Sequence, residues 1–125
     1  MAGTRTATSP RPDLGDRIKQ AIETRDAAMM SSLYDSNALL RVIDRNKPPS
    51  SPREVKGKHA IMTFWDDICS RAIVHHVDVA CAQHDRLAFT QNCAYPDGTR
   101  VFCMALVDID QGRISRQTIV QAWDE

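Results

Sequence analysis

Two short turn signals constrain this chain more than any other feature. From Arg86 to Trp123, three runs rich in β-branched and apolar residues (RLAFTQNCAY, TRVFCMALVDI and RISRQTIVQAW) are separated by Pro96-Asp97-Gly98 and by Asp110-Gln111-Gly112. Asp-Gly between two such runs is a strong short-range hairpin signal, because the tight turn needs backbone angles that Gly and Asp tolerate. Gln-Gly is a weaker version of the same signal. The stretch therefore predicts a three-stranded antiparallel meander, and the rest of the chain supplies what such a sheet needs to become a one-sided cup.

With 125 residues the chain is long enough to bury a core as one domain. Residues 1–12 are small, polar and aperiodic, which predicts a disordered tail; residues 13–125 form the domain. Asp13 has the position of a helix N-cap, with Asp16 in the first turn and Leu14, Ile18, Ala21 and Ile22 on one face. Asp26 is a second cap, opening a helix from Ala27 to Tyr34 that Asp35-Ser36-Asn37 ends. Ala38–Ile43 is a short strand, and the proline-rich segment Asp44–Gly57 is a loop of the kind that forms lids or pocket rims. Lys58–Arg71 is the strongest helix, with Ile61, Phe64, Trp65 and Ile68 on one stripe. Ala72–Ala82 is a further strand, turning near His84-Asp85 into the meander. Helices gathered before an antiparallel meander predict an α+β fold, a curved antiparallel sheet wrapped around N-terminal helices (a cystatin-like cone).

Sixteen basic and sixteen acidic residues cancel, so no global field favours nucleic acid or an acidic membrane surface. No apolar run approaches the roughly 18 residues of a membrane span, and no signal sequence opens the chain. These features predict a soluble cytoplasmic protein. Cys69, Cys81, Cys93 and Cys103 lack metal-ligand spacing and each lies in an apolar context. They are expected to be reduced, with no metal site, no disulfide framework and no cofactor.

The segments Leu33-Tyr34-Asp35-Ser36-Asn37-Ala38, Val55-Lys56-Gly57-Lys58-His59-Ala60-Ile61 with Phe64-Trp65, and the hairpin Ala94 to Thr99 carry a resemblance to a known family. With the closing strand Gly112 to Trp123, they resemble the nuclear transport factor 2-like superfamily, which includes ketosteroid isomerase and SnoaL-like cyclases. The resemblance covers about residues 13 to 125 and implies a cone fold with a ligand cavity, often paired as a homodimer. It does not carry the isomerase residues across. The positions of the isomerase's tyrosine, general base and second acid fall at Ile18, at Val42, and at Met104 or Leu106, so none of those roles is filled. Asp44, two residues beyond Val42, is a displaced acid in the loop.

Side chains alternate faces along a strand, so turn positions set which residues share a face. With His84-Asp85, Asp97-Gly98 and Gln111-Gly112 as two-residue loops, one face collects His76, Asp78 and Ala80 with Phe89, Gln91 and Cys93. It continues through Phe102, Met104 and Leu106 to Gln117, Ile119 and Gln121. Roofed by Tyr34, Phe64 and Trp65, this face is expected to line a pocket for a small apolar or semi-polar molecule. His76 and Asp78 are the expected acid–base pair of a cofactor-free isomerase, dehydratase or cyclase; a non-catalytic binding or dimerisation module is the alternative. Cys93 would then face His76, as a thiol nucleophile or as a buried structural cysteine. The opposite face (Val77, Val79, Cys81, Ala88, Thr90, Val101, Cys103, Ala105, Val107, Thr118, Val120) is also apolar and predicts a homodimer packed sheet against sheet. A type I turn with a Gly bulge at Pro96-Asp97-Gly98 would slip the register by one.

Overall fold

The computed structural model describes residues 13–124; the tail assigned to residues 1–12 lies outside the described residues. In chain order the elements are α1 (Leu14–Glu23), α2 (Ala27–Ser32), β1 (Tyr34–Ile43), β2 (Arg53–Lys56), α3 (Lys58–Cys69), β3 (Val74–Ala82), β4 (Arg86–Ala94), β5 (Arg100–Asp110) and β6 (Arg113–Trp123). The strands form one six-stranded sheet in the order β2-β1-β6-β5-β4-β3. The helices pack over one face of it, giving the α+β cone.

Both expected caps form. Asp13 Oδ1 accepts from the Asp16 N–H at 2.8 Å, and Asp26 Oδ1 from the Met29 N–H at 2.9 Å, each satisfying a donor that the first helical turn leaves unpaired. Helix α1 buries Leu14, Gly15, Ile18, Ala21 and Ile22 against the sheet. A Cβ on Gly15 would stand 3.2 Å from Leu87 Cδ1, so glycine is what lets the helix approach this closely.

Three features differ from the sequence reading. Tyr34 is not the end of a helix but the first residue of β1, because β1 runs parallel to β6 and Tyr34 lies against Ile114. The segment Asp44–Gly57 is not all loop. Asp44 and Lys47 close a small bridge, and Arg53–Lys56 pairs antiparallel with β1 through Leu40↔Val55 and Val42↔Arg53. Short edge strands next to prolines carry little periodicity, so β2 left no pattern to read.

The third difference is register. Between β4 and β5 the Tyr95 N–H reaches the Thr99 carbonyl at 2.9 Å, and the Gly98 N–H the Tyr95 carbonyl at 2.9 Å, with Gly98 at φ 92°. This is a three-residue loop closed by a glycine bulge, and it sets Cys93 opposite Val101, Gln91 opposite Cys103 and Phe89 opposite Ala105. Between β5 and β6, Gln111 (φ 51°) and Gly112 (φ 76°) form the expected two-residue turn. One extra residue, Ser115, then shifts the pairing so that Cys103 faces Gln121 and Ala105 faces Ile119. Between β3 and β4 the extra residue is Ala80, after which His75 lies opposite Cys93 and Val77 opposite Gln91.

A slip of one residue exchanges the two faces of a strand. The shifts on either side of β5 cancel across it, so β4 and β6 keep their expected inward sets while β5 and most of β3 turn over. The helix-covered face therefore carries His75 and Val77 from β3, Leu87, Phe89, Gln91 and Cys93 from β4, and Val101, Cys103, Ala105 and Val107 from β5. It is completed by Ile114, Gln117 and Ile119 from β6.

The centre of the cone is filled rather than hollow. The Trp65 indole N–H donates to the Tyr34 hydroxyl at 3.1 Å, and that hydroxyl donates to Gln117 Oε1. Tyr34, Trp65 and Gln117 are all fully buried. Burial raises the Tyr34 phenol well above its ordinary value, which keeps it protonated as a donor.

Candidate functional site

Near the β4–β5 turn end of the cone, a cavity of about 40 Å³ remains between α3 and the sheet. Each strand from β3 to β6 sends a polar or thiol side chain to its wall: His75, Gln91, Cys93, Cys103 and Gln121, under Phe64 and Trp65 of α3. The register shifts make this convergence. His75 and Cys93 are cross-strand partners, Cys103 and Gln121 likewise, and Gln91 pairs with Cys103.

His75 Nδ1 stands 3.2 Å from Cys93 Sγ and 3.0 Å from Gln91 Nε2, and Gln91 Nε2 stands 3.3 Å from Cys93 Sγ. With Gln91 donating, Nδ1 of a neutral His75 is an acceptor and its proton sits on Nε2. That Nε2 is buried and has no hydrogen-bond partner, although His75 as a whole is only 7% exposed. The Cys103 thiol beside the Cys93 sulfur pulls the Cys93 thiol below its ordinary value; burial opposes this, and His75 and Gln91 reinforce it. Cys103 is pushed up, because ionising it beside the Cys93 sulfur would bring two negative charges together in a buried place. Cys93 is thus the acidic thiol of the pair. Among the described residues no three His, Cys, Asp or Glu donors converge as a metal site.

The rim beside the cavity is aromatic. Tyr95 and Trp123 lie with ring centroids 5.6 Å apart, and Arg45 stacks on the outer side of Trp123 at 4.9 Å. The Trp123 N–H holds Gln121 Oε1 at 3.1 Å.

The residues expected in a pocket divide into three groups. Phe64, Trp65, Gln91, Cys93, Ile119 and Gln121 line the cavity. Tyr34, Phe89 and Gln117 are buried in the packed centre instead. Phe102, Met104 and Leu106 are on the opposite face, 42%, 58% and 48% exposed, because the Gly98 loop turned β5 over.

His76 and Asp78 are also on that outer face, with side chains 61% and 66% exposed, because the Ala80 bulge turned β3 over. They remain neighbours: His76 Nε2 is 3.4 Å from Asp78 Oδ2, and Nδ1 is 3.5 Å from Glu23 Oε2. Glu23 is anchored by the Lys19 ammonium at 2.7 Å and the Val77 N–H at 2.8 Å, which hold its carboxyl below the usual range. Val74, His76, Asn92 and Phe102 border an open outer groove of about 410 Å³. Cys93 faces His75, not His76. Asp44 Oδ1 is occupied by the Asn46 and Lys47 N–H groups, at 2.7 and 2.9 Å.

His75 and Cys103 were absent from the expected site. The Pro96-Asp97-Gly98 triplet was compatible with the loop that brings Cys103 inward. The Ala80 bulge that brings His75 inward has no turn residue to announce it.

No protein-family model matches the chain, and no curated protein matches it in sequence. Solved structures do match its shape. A nuclear transport factor 2-like protein of unknown function from Mesorhizobium loti aligns with a TM-score of 0.70 at 18% identity, covering 85% of each chain. A Delta 5-3-ketosteroid isomerase from Mycobacterium sp. aligns with a TM-score of 0.63 at 13% identity, over 86% of this chain and 93% of its own. The epoxide hydrolase/cyclase-like enzyme SalBIII, described as acting in pyran ring formation in the polyether salinomycin, aligns at 0.63 and 12% identity, over 82% and 83%. The chain has the nuclear transport factor 2-like cone fold. No helix among the described residues is long and apolar enough to cross a membrane.

Proposed function

We propose that this domain binds a small, partly apolar molecule at the His75–Gln91–Cys93 end of its cavity and acts on it as a cofactor-free acid–base enzyme of the isomerase, dehydratase or cyclase type. The observation that carries this reading is the His75 ring: buried at a cavity wall, set by Cys93 and Gln91 through Nδ1, and bare at Nε2. A ring so oriented carries its proton on Nε2 and can give it to a substrate as Nδ1 takes the proton of the Cys93 thiol. Gln121, its carbonyl held by Trp123, keeps an amide N–H for a substrate oxygen. That isomerases and cyclase-like enzymes are built on this cone supports the class of reaction, while fold alone names no substrate.

The cavity size sets the ligand. At about 40 Å³ it is well below the roughly 300–1,000 Å³ of drug-sized pockets. A larger substrate would have to displace the Tyr95–Trp123 rim. Fragment screening by NMR tests the reading: shifts should concentrate at His75, Gln91 and Gln121 and vanish in His75→Gln. Shifts confined to the outer groove would favour a second reading, with His76 and Asp78 as the acid–base pair, which the larger groove beside them supports. Binding at the cavity without turnover of any substrate would leave a non-catalytic binding module.

The outer face fits a second copy of this chain. Phe102, Met104 and Leu106 run along β5, with Val120 and Ala122 beside them on β6 and Val74 on β3. A contiguous apolar stripe of this kind on a sheet face marks an interface, and we place a homodimer there. Its residues are the even-numbered ones of β5, not the odd-numbered set the sequence implied. The four unpaired cysteines fit the reducing cytoplasm as its location.

A further inference from the structure

We propose that Cys93 is a thiolate nucleophile that reduces small hydroperoxides, using small thiols as the source of electrons. The inference shares the cavity of the proposed function but not its acid–base chemistry. Three features of the site point to it.

The first is the set of groups around one sulfur. Gln91 Nε2 donates to Cys93 Sγ at 3.3 Å, and His75 Nδ1, an acceptor 3.2 Å away, is placed to take the thiol's proton. A donor and a base beside a sulfur favour its ionised form, which is the reactive one. Structural cysteines in apolar cores have no such company, and the other thiols here show the contrast. Cys81 is exposed, and burial together with the nearby Asp66 and Asp26 carboxylates raises the thiol of Cys69.

The second is size. A cavity of about 40 Å³ holds roughly one or two water molecules. That matches the two oxygens of hydrogen peroxide or the head of an alkyl hydroperoxide, and a small thiol would reach the sulfur past the Tyr95–Trp123 rim. The third is that His75 and Gln121 share the wall of the same cavity, so that His75, beside the sulfur, returns the thiol's proton to the departing oxygen and Gln121 supplies a hydrogen-bond donor.

The Cys93 thiol first passes its proton to His75 Nδ1, 3.2 Å away. The thiolate attacks one peroxide oxygen, an S–O bond forms, and the O–O bond breaks. The departing oxygen takes that proton back from the His75 imidazolium and leaves as water or an alcohol; sulfur has lost two electrons and the peroxide has gained them. A small thiol then attacks the sulfenic sulfur, releasing water and forming a mixed disulfide. A second thiol restores Cys93 and leaves as the small disulfide.

The test treats the reduced full chain with one equivalent of hydrogen peroxide for timed intervals, stops the reaction with catalase, unfolds the chain in urea, traps sulfenic acid with a cyclic 1,3-dione and maps the label by mass spectrometry. Cys93 should be oxidised, and so labelled, at least about tenfold faster than Cys81 in the same molecules, a ratio lost when the chain is unfolded in urea before the peroxide is added. Cys81→Ser should leave the Cys93 rate unchanged and His75→Gln should slow it. The groups facing Cys93 that can titrate are His75, Cys103 and Tyr95, whose phenol burial raises, since α3 presents Phe64, Trp65 and Ile68 and β6 presents Gln121, Ile119 and Trp123. The Cys93 rate should therefore be level across neutral pH. Labelling of Cys81 ahead of Cys93, or equal rates in folded and unfolded chain, would overturn the proposal whether or not fragments bind at His75.

Discussion

The two faces of β3 to β6 are made from similar residues and have opposite fates. On the middle strand, Val101, Cys103, Ala105 and Val107 are buried under the helices, while Phe102, Met104 and Leu106, which are larger and more apolar, stand in the open. Hydrophobicity alone would have placed them the other way round. What decides the matter is register, since the loop closed by Gly98 turns Val101, Cys103, Ala105 and Val107 inward. The interior above them is occupied by Tyr34, Trp65 and Gln117 in one hydrogen-bonded chain. The inner face is a finished core with a small gap, and the outer face leaves Phe102, Met104, Leu106 and Val120 exposed.

Substitutions on the two faces should separate sharply. The largest effect is expected at Trp65→Ala, which empties a buried ring and strands the Tyr34 hydroxyl; it should cost about 3–5 kcal/mol in denaturant unfolding. Met104→Lys on the outer face should leave the fold intact yet shift the mass in solution from dimer to monomer, as read by light scattering. A monomeric wild-type chain at micromolar concentration would remove the outer half of the comparison. Tyr34→Phe keeps the ring but leaves Gln117 Oε1 and the Trp65 N–H unpaired, at about 1–3 kcal/mol. Asp13→Ala, remote from both faces, should cost about 1 kcal/mol through the lost cap.

A pH prediction sharpens the inner half. Cys93 has a folded-state pKa lowered to about 5, below the roughly 8.5 of an unfolded thiol. Its contribution to stability is therefore complete above about 8.5 and is lost as pH falls through the folded value. Stability measured between these limits should rise with pH, and Cys93→Ser should flatten that slope. Cys81→Ser, on the exposed β3 edge, should not.

Elements with local causes were legible in the sequence. The caps at Asp13 and Asp26, the apolar stripe of α3 and the Gln111-Gly112 turn each follow from residues within a few positions of one another. Features fixed by distant partners were not. Tyr34 belongs to a strand because β6 arrives beside it from the far end of the chain, and β2 exists only because β1 offers an edge. The site suffered most, since its face assignment depends on three single-residue insertions in the ladder, at Gly98, Ser115 and Ala80. Pro96-Asp97-Gly98 is compatible with either register and leaves the first open; the other two involve residues with no special turn chemistry. Two of the shifts cancel, so Gln91, Cys93, Ile119 and Gln121 lie on the expected inner face, while β3 presents His75 there and His76 on the outer face.

The central claim is that His75 and Cys93, not His76 and Asp78, form the chemical pair of the cavity. The most direct measurement is the imidazole nitrogen NMR spectrum of the wild-type chain against Cys93→Ser and Asp78→Asn. The account predicts that Cys93→Ser shifts the His75 resonances and leaves His76 alone, while Asp78→Asn shifts His76 only. A His75 signal indifferent to Cys93, or a His76 signal that responds to it, would contradict the account.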